Sequence, residues 1–181
     1  MRLPLPALLL LAACASAPEP PPRTVASVDI NRYAGTWYEI ARLPNRFEDG
    51  SGTRCVDTTA DYAPQPDETL TVLNRCRNAL ANGGLIESEG SAYVIQGSNG
   101  AKLRVSFFWP FYGDYWVLGL DPGYSWAVVG TPNRRYLWIL SRTPRMAEGD
   151  YAEAVRIAAA QGFDVARLQR TPQAAARPAA G

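Results

Sequence analysis

The fold is decided by a short stretch at residues 102–107, Lys-Leu-Arg-Val-Ser-Phe, in which polar and apolar side chains alternate at every step. Successive side chains of a β-strand point to opposite faces of the sheet. Leu103, Val105 and Phe107 therefore share one face, and the polar residues share the other. This alternation predicts a strand in a sheet that has one apolar face and one solvated face.

Outward from this strand, seven further stretches show similar patterning, and turn residues separate them. The 15 Gly and 15 Pro of the chain favour short strands over long helices. The eight predicted strands, in hairpin order, span residues 36–42, 53–62, 69–77, 85–96, 102–108, 114–120, 124–130 and 136–141. An eight-stranded antiparallel sheet that closes into a barrel has no free edge and leaves room for side chains or one small ligand. A two-sheet sandwich explains the spacing equally well.

One helix is predicted after the last strand, at residues 147–160. Its apolar residues Tyr151, Ala154, Val155 and Ala158 recur at helical spacing. Because this stripe is narrow and rich in Ala, we expect the helix to pack flat against the outside of the sheet. The predicted class is all-β with one C-terminal helix.

Size and composition exclude several kinds of function. The chain has 181 residues, which is enough for one domain. Its formal net charge of +1 provides no basic surface for nucleic acid. It contains no His, which removes the commonest general base and most zinc and haem ligands. We therefore expect no enzyme activity, no cofactor and no metal centre.

The amino terminus has the pattern of a processing signal. Residues 1–13 form a predicted signal peptide whose apolar stretch is too short to span a bilayer. Residues 11–14, Leu-Ala-Ala-Cys, resemble the bacterial lipobox, in which the peptide is cut before the Cys and the thiol and new amine are acylated. Ala15 after Cys14 favours sorting to the outer membrane, on its periplasmic side. An ordinary signal peptide with an incidental Cys14 is the alternative.

Two segments flank the predicted domain at residues 29–170. Residues 14–28 contain four Pro and no aromatic residue, which predicts a lipidated, semi-extended tether. Residues 171–181 are rich in Ala and Pro, which predicts a disordered tail.

The two remaining cysteines fall on neighbouring predicted strands. If residues 63–68 form the connecting loop, Tyr62 faces Thr69, and counting back places Cys55 opposite Cys76. An exported protein meets an oxidising compartment, so we predict a disulfide between them. Two free buried thiols are the alternative.

Three separated motifs resemble the signature of the lipocalin family. Residues 31–42, NRYAGTWYEIAR, match its Gly-x-Trp entry into the first strand, and residues 136–142, YLWILSR, match its last strand ending in Arg. Residues 120–124, LDPGY, occupy the place of its Thr-Asp-Tyr turn, from which Leu120 and the Pro-Gly insertion depart. The resemblance is particularly clear to bacterial outer-membrane lipocalins and the apolipoprotein D group. It implies an eight-stranded up-and-down barrel over residues 29–170.

Three signature residues have structural roles in this interpretation. Gly35 permits a tight turn from a short 3₁₀ entry into the first strand, and Trp37 plugs the narrow end of the barrel. Arg142 ends the last strand, which neighbours the first strand in a closed barrel, so its guanidinium can lie over the Trp37 ring.

Side-chain parity then predicts which residues line a cavity. If Arg142 faces inward, every second residue back along the last strand faces inward with it. In the strand at 114–120 both faces are apolar, and the choice of face follows the family pattern. Glu39 faces inward by parity from Trp37, either bonded to Tyr or Arg near a wet mouth or as a solvated strand end. The predicted ligand-binding residues are Glu39, Leu103, Val105, Phe107, Tyr115, Val117, Tyr136, Trp138 and Leu140.

The resemblance implies an outer-membrane-anchored protein that holds a single-chain lipid, a fatty acid or lysophospholipid, for storage or transport in envelope maintenance. Its implied partners are that lipid and the membrane, with a homodimer left open. One alternative is an enzyme on the same barrel, an isomerase or peroxide scavenger that would use Glu39 and a Tyr. Another is a structural lipoprotein without a ligand. Three roles are open for the aromatic stretch at residues 108–112: a surface for a partner protein, a contact with the membrane, or a cap on the barrel.

Overall fold

The computed structural model describes residues 20–67 and 69–174. The predicted signal peptide, the lipidation site Cys14 and residues 175–181 of the predicted tail lie outside the described residues.

Nine strands and two α-helices make up the described part of the chain. The strands are β1 (Gly35–Arg42), β2 (Cys55–Pro64), β3 (Thr69–Asn78), β4 (Gly84–Val94), β5 (Lys102–Phe108), β6 (Phe111–Leu120), β7 (Trp126–Gly130), β8 (Leu137–Ser141) and β9 (Gln169–Arg170). The helices are α1 (Ile30–Tyr33) and α2 (Glu148–Ala160), with a 3₁₀ turn at Val165–Arg167.

The first eight strands close into a barrel. Each pairs antiparallel with the next, β8 pairs with β1, and β1 also pairs with β2. This confirms the predicted antiparallel barrel and removes the sandwich alternative. The end at which β1 begins, near Gly35, is hereafter the closed end. The opposite end, bounded by the β1–β2, β3–β4, β5–β6 and β7–β8 connections, is the mouth.

The apolar residues form two layers separated by the sheet. One cluster fills the barrel and includes Trp37, Leu103 and Val117. The other lies between the outer surface of the sheet and α2, where Ala154 and Ala158 are fully buried. The predicted outside packing of the helix is confirmed. Small Ala side chains allow the helix to approach the sheet closely, as the contact of α2 with β6, β7 and β8 requires.

The disulfide between Cys55 and Cys76 is present, but the predicted strand register is wrong. Tyr62 pairs with Val72 rather than Thr69, and Cys55 pairs with Asn78. The connecting loop is shorter than expected because β2 continues to Pro64, and a β-bulge between Val56 and Thr59 shifts the register again. The two cysteines are diagonal neighbours on the same face, with Cα atoms 5.4 Å apart.

The packed region is longer than residues 29–170 at both ends. Residues 20–28, assigned to the tether from sequence, lie along the barrel: the Val25 amide donates to the Val117 carbonyl, and Val28 is buried. At the other end, residues 171–174 continue from β9 instead of starting a loose tail. Thr171 is buried, and its amide donates to the Ile40 carbonyl.

The C-terminal segment fills a gap in the barrel wall. Beyond Tyr38, β1 no longer pairs with β2, and β9 pairs there with Ala41 and Arg42. The side-chain amide of Gln173 then donates to the carbonyls of Glu39 on β1 and Thr58 on β2, at 2.8 and 2.9 Å. This bridge satisfies backbone acceptors that the diverging strands leave unpaired.

The entry into β1 is a single α-helical turn, α1, and not the 3₁₀ turn predicted. The Asp29 side chain caps it by accepting from the Asn31 and Arg32 amides.

No helix among the described residues is long and apolar enough to cross a membrane.

Candidate ligand-binding site

The closed end is sealed by Trp37 and Arg142. Trp37 is fully buried, and its indole N–H donates to the Tyr33 carbonyl at 2.8 Å. The Arg142 guanidinium lies 3.8 Å from the centre of the indole ring and donates to the carbonyls of Arg32, Tyr33 and Thr36. The structure therefore gives these signature residues the contacts expected from their positions.

Gly35 begins β1 with a backbone φ of +89°, a conformation that other residues rarely adopt. An added Cβ would lie 3.5 Å from Arg142 Nη1. This is an ordinary contact distance, so the glycine is required by the turn into the strand and not by the approach of the arginine.

The predicted cavity rows lie on the inside of the barrel. On β5, Leu103 is almost fully buried, whereas Val105 and Phe107 are only partly buried as the strand approaches the mouth. Trp138 on β8 shows the same partial burial, and Leu140, nearer the closed end, is buried. Seven of the nine predicted ligand residues belong to the interior cluster: Leu103, Val105, Phe107, Tyr115, Val117, Trp138 and Leu140.

Tyr136, the eighth, lies just before β8 in the β7–β8 connection. Its ring stacks on Trp138, with ring centres 5.9 Å apart, and is 5.7 Å from the Phe47 ring of the β1–β2 connection. It therefore borders the mouth.

A cluster of three tyrosines forms the floor of the interior. The Tyr115 hydroxyl lies 2.8 Å from that of Tyr33, and the Tyr62 hydroxyl donates to it at 2.9 Å. Burial raises the pKa of Tyr62 to about 12, and it also raises the pKa of Tyr33 and Tyr115 well above the ordinary value. All three hydroxyls therefore stay neutral, and the floor offers hydrogen bonds without charge.

The ninth predicted residue, Glu39, is buried and paired with Arg42. Arg42 Nη1 donates to Glu39 Oε1 at 2.6 Å, and the Thr171 hydroxyl donates to the same oxygen. The pairing of β1 with β8 shifts between Glu39 and Ala41, which brings both side chains to the same face although they are three residues apart. This resolves the two sequence alternatives in favour of the bonded, buried carboxylate.

Arg42 is the centre of a wider network that sequence reasoning missed. Its Nε and Nη2 donate to the two carboxylate oxygens of Asp49 at 2.9 and 2.6 Å, and Nη2 also donates to the Cys55 carbonyl. Glu48 approaches Arg42 Nε at 3.9 Å and accepts from the Trp138 indole at 3.1 Å. The network thus joins the β1–β2 connection to the cavity wall.

Three carboxylates face one guanidinium here, and the pKa values of two of them, Glu39 and Asp49, shift in opposite directions. Burial and the adjacent Glu48 carboxylate raise the pKa of Glu39 well above its ordinary value, against the opposing effects of Arg42 and Thr171. Burial alone would raise the pKa of Asp49, but hydrogen bonds from Arg42 and the Asn45 amide outweigh it and lower the pKa. Protonation at this site therefore concentrates on Glu39.

We expect the substitution Glu39→Gln to change how stability depends on pH. A carboxyl whose folded-state pKa is raised contributes stability that is complete below its unfolded value of 4.5 and is lost as pH rises through the folded value. Glutamine does not ionise, so the variant should gain stability relative to the parent as pH rises. Urea unfolding at intervals from about pH 4 to about pH 8 measures the difference.

Asp49→Asn is the matched control for this prediction. Its lowered pKa gives the opposite sign, because the stability that Asp49 contributes is present above its unfolded pKa and is lost on acidification. This variant should lose stability relative to the parent as pH rises. If the free energy of unfolding changed with pH in the same way in the parent and in Glu39→Gln, the raised pKa of Glu39 would be contradicted.

The described residues contain no group of three or more His, Cys, Asp or Glu arranged to hold a metal. The Glu39 carboxylate is already bonded to Arg42 and Thr171.

A separate concavity of about 510 Å³ lies at the closed end, between α1, the β2–β3 connection and the end of β4. It is lined by none of the predicted ligand residues.

Comparison with known proteins agrees with this architecture. The family model described as a lipocalin-like domain matches residues 28–173. The chain belongs to the lipocalin family. The match ends at residue 173 and so includes the C-terminal segment that bridges β1 and β2.

Individual lipocalins resemble the chain over most of its length. It is 44% identical over 165 residues to the outer membrane lipoprotein Blc of Escherichia coli K12, covering 90% of this chain and 89% of that protein. It is 44% identical over 162 residues to temperature-induced lipocalin-1 of Arabidopsis thaliana, covering 85% and 84%. Insecticyanin from Manduca sexta shares the fold, with a TM-score of 0.68, 20% identity and coverage of 87% and 86%.

Proposed function

We propose that this lipocalin binds one single-chain lipid, a fatty acid or lysophospholipid, in its barrel and is anchored to the outer membrane through acylated Cys14. Its role would be storage or transport of that lipid in envelope maintenance. The observation that carries the proposal is the gradient along β5, where the interior row is sealed at Leu103 and becomes accessible through Val105 and Phe107 toward the mouth.

An acyl chain fits an interior of this chemistry. Burying about 14 methylenes at about 0.8 kcal/mol each gives about 11 kcal/mol of gross transfer energy. Losses of translational and rotational freedom remove several kcal/mol of this. Micromolar or tighter binding follows.

The charges near the mouth favour a lysophospholipid over a fatty acid. The guanidinium of Arg42 is already bonded to Glu39 and Asp49, which leaves it little attraction for another carboxylate. A zwitterionic head group brings an ammonium that suits the stacked rings of Tyr136 and Trp138 through cation–π attraction. Its phosphate would face the exposed Arg46 of the β1–β2 connection.

The substitution Trp138→Ala is expected to weaken lipid binding by about 1–3 kcal/mol, or about 5- to 150-fold. Trp138 contributes apolar area to the upper cavity and is held there by its bond to Glu48. Calorimetric titration with lysophosphatidylethanolamine and with palmitic acid measures the change. In the parent protein the same titration should alter tryptophan emission.

Arg104→Ala is the control, because Arg104 lies on the outer face of β5 and pairs with Asp114. It should bind lipid like the parent. Normal binding by Trp138→Ala together with loss of binding by Arg104→Ala would overturn the assigned cavity. Absence of binding in the parent would favour the structural lipoprotein without a ligand.

The proposed anchor predicts that Cys14→Ser yields no acylated membrane protein. The lipobox pattern at residues 11–14 supports this, as does the likeness to proteins named outer membrane lipoproteins. Metabolic labelling with palmitate and separation of outer and inner membranes measure it. The variant should be an unprocessed or unacylated product, and a normally acylated one would contradict the prediction.

A further inference from the structure

The large exposed apolar side chains of the described residues are concentrated at one end of the barrel. Eight such side chains are exposed, and seven of them lie on loops or strand ends at the mouth; the eighth, Tyr93, lies toward the closed end. We call the seven the apolar rim: Phe47, Leu80, Leu85, Ile86, Phe108, Trp109 and Phe111. Exposed apolar side chains gathered at one end of a protein mark an interaction surface.

The tip of the β5–β6 hairpin contributes the most exposed part of the rim. Phe108, Trp109 and Phe111 are 79%, 83% and 76% exposed. They therefore do not cover the barrel interior, which removes the role as a cap that the sequence left open. Aromatic side chains at such a tip suit the boundary between water and acyl chains.

Exposed cations accompany the apolar rim. Four arginines at the mouth end are exposed: Arg46, Arg54, Arg77 and Arg135. Glu48 and Asp49 of the same end are engaged with Arg42, and Glu87 on β4 is paired with Arg75. An apolar surface with a basic border complements a bilayer that contains anionic lipids.

The path of the N-terminal segment gives an independent indication of orientation. The Pro20 carbonyl accepts from Arg134 Nη2 at 2.7 Å, and Arg134 belongs to the β7–β8 connection at the mouth. From Pro20 the chain runs toward the closed end, where the Val28 amide donates to the Asn99 carbonyl. The chain that leads back to Cys14 thus leaves the barrel at the mouth end.

The length of that connection restricts which end can face the membrane. Five residues lie between Cys14 and Pro20, and the six steps from one Cα to the next reach about 21 Å when fully extended. Residues 20–28 run from mouth to closed end over about 26 Å at a typical extended rise. The connection to Cys14 can therefore extend beyond the mouth to a membrane there. It is too short to run back along the barrel to a membrane at the closed end.

We infer that the mouth docks on the anionic lipid leaflet to which Cys14 is attached, with the apolar rim inserted among the head groups. The inference rests on the proposed anchoring and lipid binding, and adds a surface and an orientation to them. In this arrangement the barrel opens directly onto the lipid surface. A lipid then passes between leaflet and cavity without crossing bulk water.

Labels at the two ends of the barrel test the orientation. The acylated full chain, with its disulfide intact, is prepared with either Trp109→Cys or Gln65→Cys, labelled with an environment-sensitive fluorophore, and reconstituted in vesicles of phosphatidylethanolamine and phosphatidylglycerol. The label at position 109 should shift to the blue and become protected from aqueous iodide, and the label at position 65 should not. Equal access of iodide to both labels would overturn the inference.

Rim variants test the consequence for lipid exchange. The triple variant Phe108→Ser, Trp109→Ser and Phe111→Ser should transfer lysophospholipid from vesicles at least tenfold more slowly than the parent. Its affinity for the same lipid in solution, and its acylation, should be unchanged. Tyr93→Ser, the exposed aromatic outside the rim, is the control and should transfer lipid at the parental rate.

The outcomes separate this inference from the proposed function. Unchanged transfer in the triple variant would overturn the docking surface while leaving lipid binding in place. Absence of lipid binding in the parent would overturn the proposed ligand, and protection of the 109 label would still establish docking. Protection of that label without vesicles, at concentrations where the protein dimerises, would assign the rim to a second copy and overturn the inference.

Discussion

Replacing Trp37 by Ala is expected to lower the free energy of unfolding by about 3–5 kcal/mol, the range for loss of a large aromatic side chain from a core. Trp37 is fully buried at the closed end. The substitution also removes the surface over which Arg142 lies and the hydrogen bond to the Tyr33 carbonyl. Urea unfolding followed by circular dichroism measures the loss.

Trp109→Ala is the matched control, since it removes the same side chain from an exposed position. Its free energy of unfolding should lie within about 0.5 kcal/mol of the parent. If Trp37→Ala were no more destabilising than Trp109→Ala, the sealing role of Trp37 would be wrong. Lipid affinity should change little in the fraction of Trp37→Ala that remains folded, because the tyrosine cluster lies between Trp37 and the proposed lipid site.

Replacing Arg42 by Met is expected to destabilise the protein by a similar amount, about 3–5 kcal/mol at neutral pH. Methionine keeps much of the volume but leaves Asp49 and Glu48 without their shared cation and the Cys55 carbonyl without its donor. The loss should be smaller at acidic pH, because protonation of Asp49 removes the charge that Arg42 otherwise pairs. Urea unfolding at neutral and acidic pH measures both effects.

Arg75→Met is the comparison for Arg42→Met. Arg75 also pairs with two carboxylates, Asp61 and Glu87, but its side chain is 40% exposed, against 4% for Arg42. Solvent screening should limit its loss to about 1 kcal/mol or less. If Arg42→Met and Arg75→Met lost the same free energy of unfolding, burial would not be what makes the Arg42 network important.

The bulge in β1 explains why the Arg42 network was not predictable. Parity from Trp37 correctly placed Glu39 inside, but strict alternation would place Arg42 outside. The shifted pairing of β1 with β8 reverses that assignment. Thr171 lies 129 residues from Arg42, in a segment whose composition predicted disorder. Nothing in the local sequence specifies either contact.

The disulfide likewise has one aspect that the sequence predicts and another that it does not. Two cysteines on adjacent strands of a protein with a predicted signal peptide were enough to predict the bond, because diagonal and opposed positions both bring side chains of one face together. The register was not predictable in the same way. It depends on where the loop closes and on the bulge at Val56, both of which are set by pairing with the rest of the sheet.

The sequence by itself determined the eight barrel strands, the interior rows of β5 and β8, the outer helix and the pairing of Trp37 with Arg142, because backbone periodicity and a few motifs specify these; it did not predict β9. Only the tertiary structure decided the Glu39–Arg42 pairing, the C-terminal bridge between β1 and β2, and the course of residues 20–28. It also gathered the apolar rim, whose members are spread between residues 47 and 111. The physical reason is barrel closure, which brings distant loops to one end and fixes register through long-range hydrogen bonds that no local pattern encodes.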